Sequence, residues 1–191
     1  MVEVYFENIH EQIIQRLLLA QKSLKICVAW FTDVDIYNAV LDVQNKGVNV
    51  YIIIANHEFN QNSRVDYKKL LENNGCVSYI GNINDSAGNK LMHNKFSIID
   101  DSILITGSYN WTYKDRMNDE NIIVIDSEPN VIQKFNGKFD SFKPQYGFTI
   151  NKQNAVELLP IEHIMNKWDN PDNLMPEKES LLDISLTLSK F

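Results

Sequence analysis

A chain of 191 residues with 44% hydrophobic and 10% aromatic content carries enough apolar material for one sizeable core, the usual composition of a globular domain. A formal net charge of −7 works against a broad nucleic-acid footprint, which relies on clustered Lys and Arg, although the potential of one cleft can oppose the global sign. No cationic segment followed by an apolar one opens the chain, and the neighbourhood from Ile13 to Trp30 is broken by Arg16, Gln21, Lys22 and Lys25. Neither a secretory signal nor an ordinary membrane span is expected, and the location reads as cytoplasmic. The two cysteines, Cys27 and Cys76, each sit in an apolar run and read as buried thiols rather than a disulfide.

Val2 to Phe6 reads as a first strand. Asn8 then caps a helix with apolar positions Ile9, Ile13, Ile14, Leu17 and Leu18. Ser23 to Trp30 alternates as a second strand. Thr32 or Asp33 starts the next helix, whose buried stripe is Ile36, Tyr37, Val40, Leu41 and Val43, and Gly47 stops it. Val48 to Ala55 is apolar on both faces towards its end, as a covered central strand would be. A helix around Arg64 to Asn73 and a strand from Cys76 to Ile80 complete an alternating pattern that implies an α/β sheet with helix layers. Gly81 to Lys90 is a loop by its Gly, Asn, Asp and Ser content.

The loop delivers the chain to His93-Asn94-Lys95-Phe96-Ser97-Ile98-Ile99-Asp100, and then, after a hairpin, to Gly107-Ser108-Tyr109-Asn110. On a strand, His93 and Lys95 emerge on one face. An ammonium binds a phosphate and an imidazole attacks or protonates it, while the Ser108 hydroxyl and Asn110 amide reach non-bridging oxygens. In outline this is a phosphodiester site. Asp100 has the opposite parity and reaches such a site only if the strand ends or bends there; otherwise it supports the turn. Residues 111–118 are polar and expected over the site, Asn121 to Asp126 is a strand, and Glu128 to Phe142 a helix burying Val131, Ile132, Phe135 and Phe139. Further on, Lys152 to Trp168 reads as an amphipathic helix interrupted at Pro160, Asp169 to Glu179 as a linker, and Leu181 to Phe191 as an apolar-rich end.

The pattern H-x-K-x-x-x-x-D followed by G-S-x-N resembles the signature of the phospholipase D superfamily. The string Leu104-Ile105-Thr106-Gly107-Ser108-Tyr109-Asn110-Trp111-Thr112 is most similar to its small, single-motif branch of bacterial endonucleases and mitochondrial cardiolipin hydrolases. Phe31-Thr32 and Lys46 to Val50 resemble the early part of the same domain more weakly. The resemblance covers about residues 2–143. It implies an α/β/α sandwich with a mixed central sheet flanked by helices, in a catalytic domain spanning residues 1–149 with a C-terminal extension at 150–191. It also implies His93, Lys95, Asp100 and Glu120 as catalytic residues, with Lys95, Ser108 and Asn110 on the phosphate, and Glu120 hydrogen-bonded to the catalytic imidazole. No cofactor and no metal are expected.

Covalent phosphodiester hydrolysis uses one histidine as nucleophile and another as general acid. The chain has His10, His57, His93 and His163, and none of the others repeats His-x-Lys. One motif per chain, in a family whose larger members carry two, is what the resemblance reads as a homodimer with a single site across its two-fold interface. The expected substrate is DNA or RNA, with phospholipid as the alternative. A third reading makes the chain a subunit of a larger bacterial restriction or antiphage complex, docking a protein partner through residues 150–191. Trp111 reads as a packing residue, His57 as a surface loop residue, and Lys114 and Arg116 either guide a polyanion or are simply solvated.

Overall fold

In the computed structural model, residues 1–72, 75–81, 91–142, 146–150 and 156–160 are described. In chain order they form β1 (Val2–Tyr5), α1 (Ile9–Leu17), β2 (Ser23–Val28), α2 (Val34–Asn45), β3 (Asn49–Ala55), α3 (Glu58–Gln61), α4 (Tyr67–Glu72) and β4 (Cys76–Ile80). The second half contributes β5 (Lys95–Ile99), β6 (Ile103–Gly107), β7 (Ile122–Asp126), α5 (Pro129–Ser141), β8 (Tyr146–Ile150) and β9 (Val156–Pro160), with a 3₁₀ turn at Asp115–Met117. The strands make one sheet in the order β1-β7-β6-β5-β2-β3-β4-β8-β9. β2, β3 and β4 are parallel and the remaining pairs antiparallel, so the sheet is mixed, as the resemblance implies.

Strand parity builds two cores. Leu24, Ile26 and Val28 of β2 and Val50, Ile52 and Ile54 of β3 face Ile9, Ile13 and Leu17 of α1 and Ile36, Val40 and Val43 of α2. The alternate residues Cys27, Ile53, Phe96, Ile98 and Leu104 face Ile132 and Phe139 of α5. β2 and β3 are thus apolar on both faces because helices cover both, giving an α/β/α sandwich. Cutting one of the fully buried isoleucines to alanine costs about 2–5 kcal/mol. Cys27 and Cys76 are buried and form no disulfide with each other, and burial pushes the Cys27 thiol up to about 12.

Helix ends mostly follow their local chemistry. The Asp33 carboxylate accepts from the amides of Asp35 and Ile36 and caps α2, and Gly47 leaves its other end at φ 94°, a conformation costly for residues with a Cβ. Asn8 precedes α1 as expected, but it is left-handed (φ 53°, ψ 32°) and its side chain makes no cap hydrogen bond. Asparagine is there for its backbone tolerance rather than its amide. The helix expected over 64–73 is shorter within the described residues, and the single turn α3 before it was not anticipated.

Three further expectations change. Val156 to Pro160 is a strand rather than part of a helix, pairing with β8 from Tyr146↔Pro160 to Ile150↔Val156. A short apolar run does not distinguish the two periods, and Pro160 is tolerated because β9 is the outermost strand. The division at 149/150 falls inside β8, so the sheet runs past it. Asp100 and Asp101, both at φ 51°, form the tight β5–β6 turn, and the Asp100 carboxylate accepts from the amides of Gln21, Lys22 and Ser23 at 2.9, 2.7 and 2.8 Å. The remainder of the 152–168 helix, the 169–179 linker, the 181–191 end and loop residues 82–90 lie outside the described residues. No helix among the described residues is long and apolar enough to cross a membrane.

Candidate active site

Register brings the motif together. Val28 pairs with Lys95, Phe96 with Thr106, and Gly107 with Ile122, so the end of β2, the start of β5, the end of β6 and the start of β7 meet at one edge. This is where the parallel strands present their carboxyl ends, the usual place for ligands in α/β sheets. Ala29 N donates to Asn94 O at 2.8 Å, extending the ladder one residue so that His93 sits just beyond β5 at the rim. Gly107 is required by close approach: a Cβ there would lie 2.1 Å from the Asn121 carbonyl oxygen. The small residue lets β6 and β7 close up and set Ser108 beside Glu120.

A cavity of about 780 Å³ opens over these ends, and His93, Lys95, Ser108, Asn110 and Glu120 all line it. Five of the six expected site residues are therefore brought together. Asp100 is not: it holds the opposite end of the β5–β6 hairpin, because strand parity and three amide donors place it in the turn. Its expected catalytic role gives way to a structural one.

Lys95 is only 9% exposed, and its ammonium donates to the His93 carbonyl at 2.9 Å and lies 5.8 Å from the centre of the Trp30 ring. Desolvation lowers its pKa, while the negative charges of Asp115 and Glu120 pull it back up. His93 packs edge-on against Trp30, centroids 5.4 Å apart. Desolvation, and secondarily the Lys95 charge, lower the imidazole pKa from 6.5 and favour the neutral ring that a nucleophile needs.

The acidic partners differ from expectation. Glu120 accepts from the Ser108 hydroxyl, which itself accepts from Asn121 N at 3.1 Å. Within this chain the carboxylate thus orients the serine rather than the imidazole. Asn110 is engaged by Asp115, whose Oδ1 accepts from the Asn110 amide side chain at 3.2 Å, while the buried Asn110 Oδ1 has no partner among the described residues. Asp115, 6% exposed, was missed. Its signal was Thr112-Tyr113-Lys114-Asp115: the Thr112 hydroxyl donates to the Asp115 carboxylate and accepts from Asp115 N at 3.3 Å, a local reciprocal pair leading into the 3₁₀ turn.

The loop over the site is anchored at both ends. Trp111 packs in the core against Phe31 at 4.9 Å, and its carbonyl accepts from Thr32 N and Asp33 N. Arg116 donates to Asp33 at 2.8 and 2.7 Å and to Asp35 at 2.7 Å, so it clamps the loop to α2 and does not steer a polyanion. Lys114 does line the cavity. Buried Asn60 ties the opposite wall together, donating to Ala29 O and Ala55 O and accepting from Phe31 N. Trp30, Phe59, Arg64 and Tyr113 also line the cavity and were not singled out, because they come from separate connections that only the fold unites.

Among the described residues, one group of His, Asp and Glu is close enough to share an ion: His10, Asp33 and Asp35. The Arg116 guanidinium already neutralises it. His10 lies 3.7 Å from Asp33, His57 Nδ1 accepts from Phe59 N as the cap of α3, and His163 is outside the described residues. His57 also packs edge-on to Trp30, centroids 6.0 Å apart, but neither it nor His10 lines the cavity.

The chain is a mixed α/β/α sandwich with a histidine–lysine pair at the carboxyl ends of its parallel strands, and comparison with known proteins gives its family. The family described as "Cardiolipin synthase, PLD-like domain" matches residues 13–143, and the chain belongs to this phospholipase D superfamily. It is 38% identical over 123 residues to a mitochondrial cardiolipin hydrolase of Chlamydomonas reinhardtii, covering 63% of this chain and 51% of the relative. A mitochondrial cardiolipin hydrolase of Canis lupus familiaris is 30% identical over 167 residues, with 81% and 60% covered. The chain thus spans little more than half the length of these relatives. Among solved structures, NucT from Helicobacter pylori superposes with a TM-score of 0.61 at 25% identity, covering 73% of this chain and 93% of NucT. Nuc from Salmonella typhimurium gives 0.62 at 20% identity, with 84% and 98% covered, and supports the fold.

Proposed function

We propose that the chain is a phosphodiester hydrolase acting as an endonuclease on DNA or RNA, working as a homodimer through a covalent phosphohistidine. The observation that carries this reading is the neutral-leaning His93 at the rim of the cavity beside the desolvated Lys95. His93 attacks phosphorus and the alkoxide leaves, taking a proton from the imidazolium of His93 in the second copy. That imidazole then removes a proton from water, the water oxygen attacks phosphorus, and the nitrogen–phosphorus bond breaks. Lys95 and the Ser108 and Asn110 side chains gather the charge that builds on the oxygens. The second copy is needed because no other imidazole among the described residues is seen at the cavity. Support for nucleic acid comes from Arg64 and Lys114 at the cavity.

The second reading keeps the chemistry and changes the substrate to phospholipid. It is favoured by the relatives named cardiolipin hydrolase and by exposed Leu91, Phe59 and Met117. One comparison separates them: wild type and His93→Ala assayed in EDTA on DNA, RNA and phospholipid vesicles. Nucleic-acid cleavage that disappears in the variant, with lipid untouched, is expected; lipid turnover without nucleic-acid cleavage would reverse the assignment.

A further inference from the structure

The cavity holds more than a phosphate requires. Phe59 and Tyr113 line it while remaining 56% and 45% exposed. Both rings are braced by protein. Phe59 packs edge-on against Trp30, centroids 5.8 Å apart, and tilts onto His57 at 4.7 Å. Tyr113 carries the Arg116 guanidinium 4.4 Å from its ring centre, and that guanidinium is itself fixed by Asp33 and Asp35. Rings held in this way lose little rotamer freedom when a flat ligand settles on them, so the contact keeps most of its energy. Trp30 connects this wall to the chemistry, since it also touches His93 and Lys95.

The groups esterified to a phosphate on His93 and Lys95 must lie along this wall. Arg64 and Lys114 line the same cavity as the two rings. Flat rings interleaved with cations suit a base and the phosphate that follows it. We propose that Phe59 and Tyr113 form a stacking subsite for the nucleobase next to the scissile phosphate, with Arg64 and Lys114 taking the adjoining phosphate. This rests on the nuclease reading and adds to it a demand for a base at a defined place.

The test measures kcat/KM in EDTA for an oligonucleotide cleaved at one labelled phosphate and for the same strand lacking the neighbouring base. Wild type, Tyr113→Leu, Phe59→Leu and Tyr113→Phe are compared. Base stacking on an aromatic side chain corresponds to a preference of about ten- to a hundredfold. Wild type should show that preference for the intact strand, the leucine variants should lose most of it, and Tyr113→Phe should keep it. Equal rates on both strands in wild type overturn the subsite and leave the nuclease reading standing. Leucine variants that slow on both strands while keeping the ratio mark the rings as structural and also overturn the subsite. Cleavage of neither strand, with phospholipid turned over, overturns both readings.

Discussion

At the turn of the β5–β6 hairpin, Asp100 spends its carboxylate on three consecutive amides at 2.7–2.9 Å. At the opposite end of the same hairpin, Glu120 and Asp115 bind the side chains of Ser108 and Asn110 and partly offset the desolvation that lowers the pKa of Lys95. One sheet therefore uses acids in two ways. Where the partners are backbone amides, the charge fixes the path of the chain into β2. Where the partners are polar side chains lining a cavity, the charge sets their orientation and leaves their remaining valences to a ligand. Asp100 shares the motif with His93 and Lys95 but does not line their cavity.

Substitutions can break this comparison at either end. His93→Ala should have the largest effect, lowering kcat for diester cleavage by about 10⁴-fold or more, since nucleophile and general acid vanish together. A retained rate would move the chemistry away from the cavity. Asp115→Asn should lower kcat/KM by about tenfold, because it frees Asn110 and removes the first of the two charges supporting the Lys95 ammonium. Asp100→Asn should do the reverse. It leaves kcat/KM unchanged below the melting transition and lowers stability by about 1–2 kcal/mol, read as a drop in Tm.

The alternation of strands, the Asp33 cap and the Gly47 stop were legible because each depends on neighbours a few residues away. The motif was legible as a set of spacings, so His93, Lys95, Ser108 and Asn110 were found before their geometry, and the family resemblance added Glu120. The place of Asp100 was not, since it depends on which end of the hairpin faces the cavity and on amides from residues 21–23. The Glu120–Ser108 bond depends on β6 and β7 closing over Gly107. The aromatic wall escaped for the same reason: Trp30, Phe59 and Tyr113 belong to three separate connections. The strand at Val156 to Pro160 had too few residues to declare its period, and its pairing with β8 decided it.

A smaller effect concerns pH. Cleavage needs one neutral and one protonated His93, so kcat/KM should pass through an optimum and fall on its acid side as pH drops through a pKa that lies below 6.5. Lys95→Met removes the ammonium, the second cause of that depression after desolvation. The His93 ring resonances should then titrate closer to 6.5 by NMR. An unchanged midpoint would mean that the two side chains do not sense each other.

The central claim is that one chain supplies half of a site completed by its own second copy. The direct measurement is the activity of a purified heterodimer, isolated through two different tags, of wild type and His93→Ala subunits. The account predicts that this heterodimer is as inactive as the doubly substituted homodimer, because one imidazole cannot serve as both nucleophile and acid. Half the wild-type activity in the heterodimer, or full activity in a chain that is monomeric in solution, would contradict it.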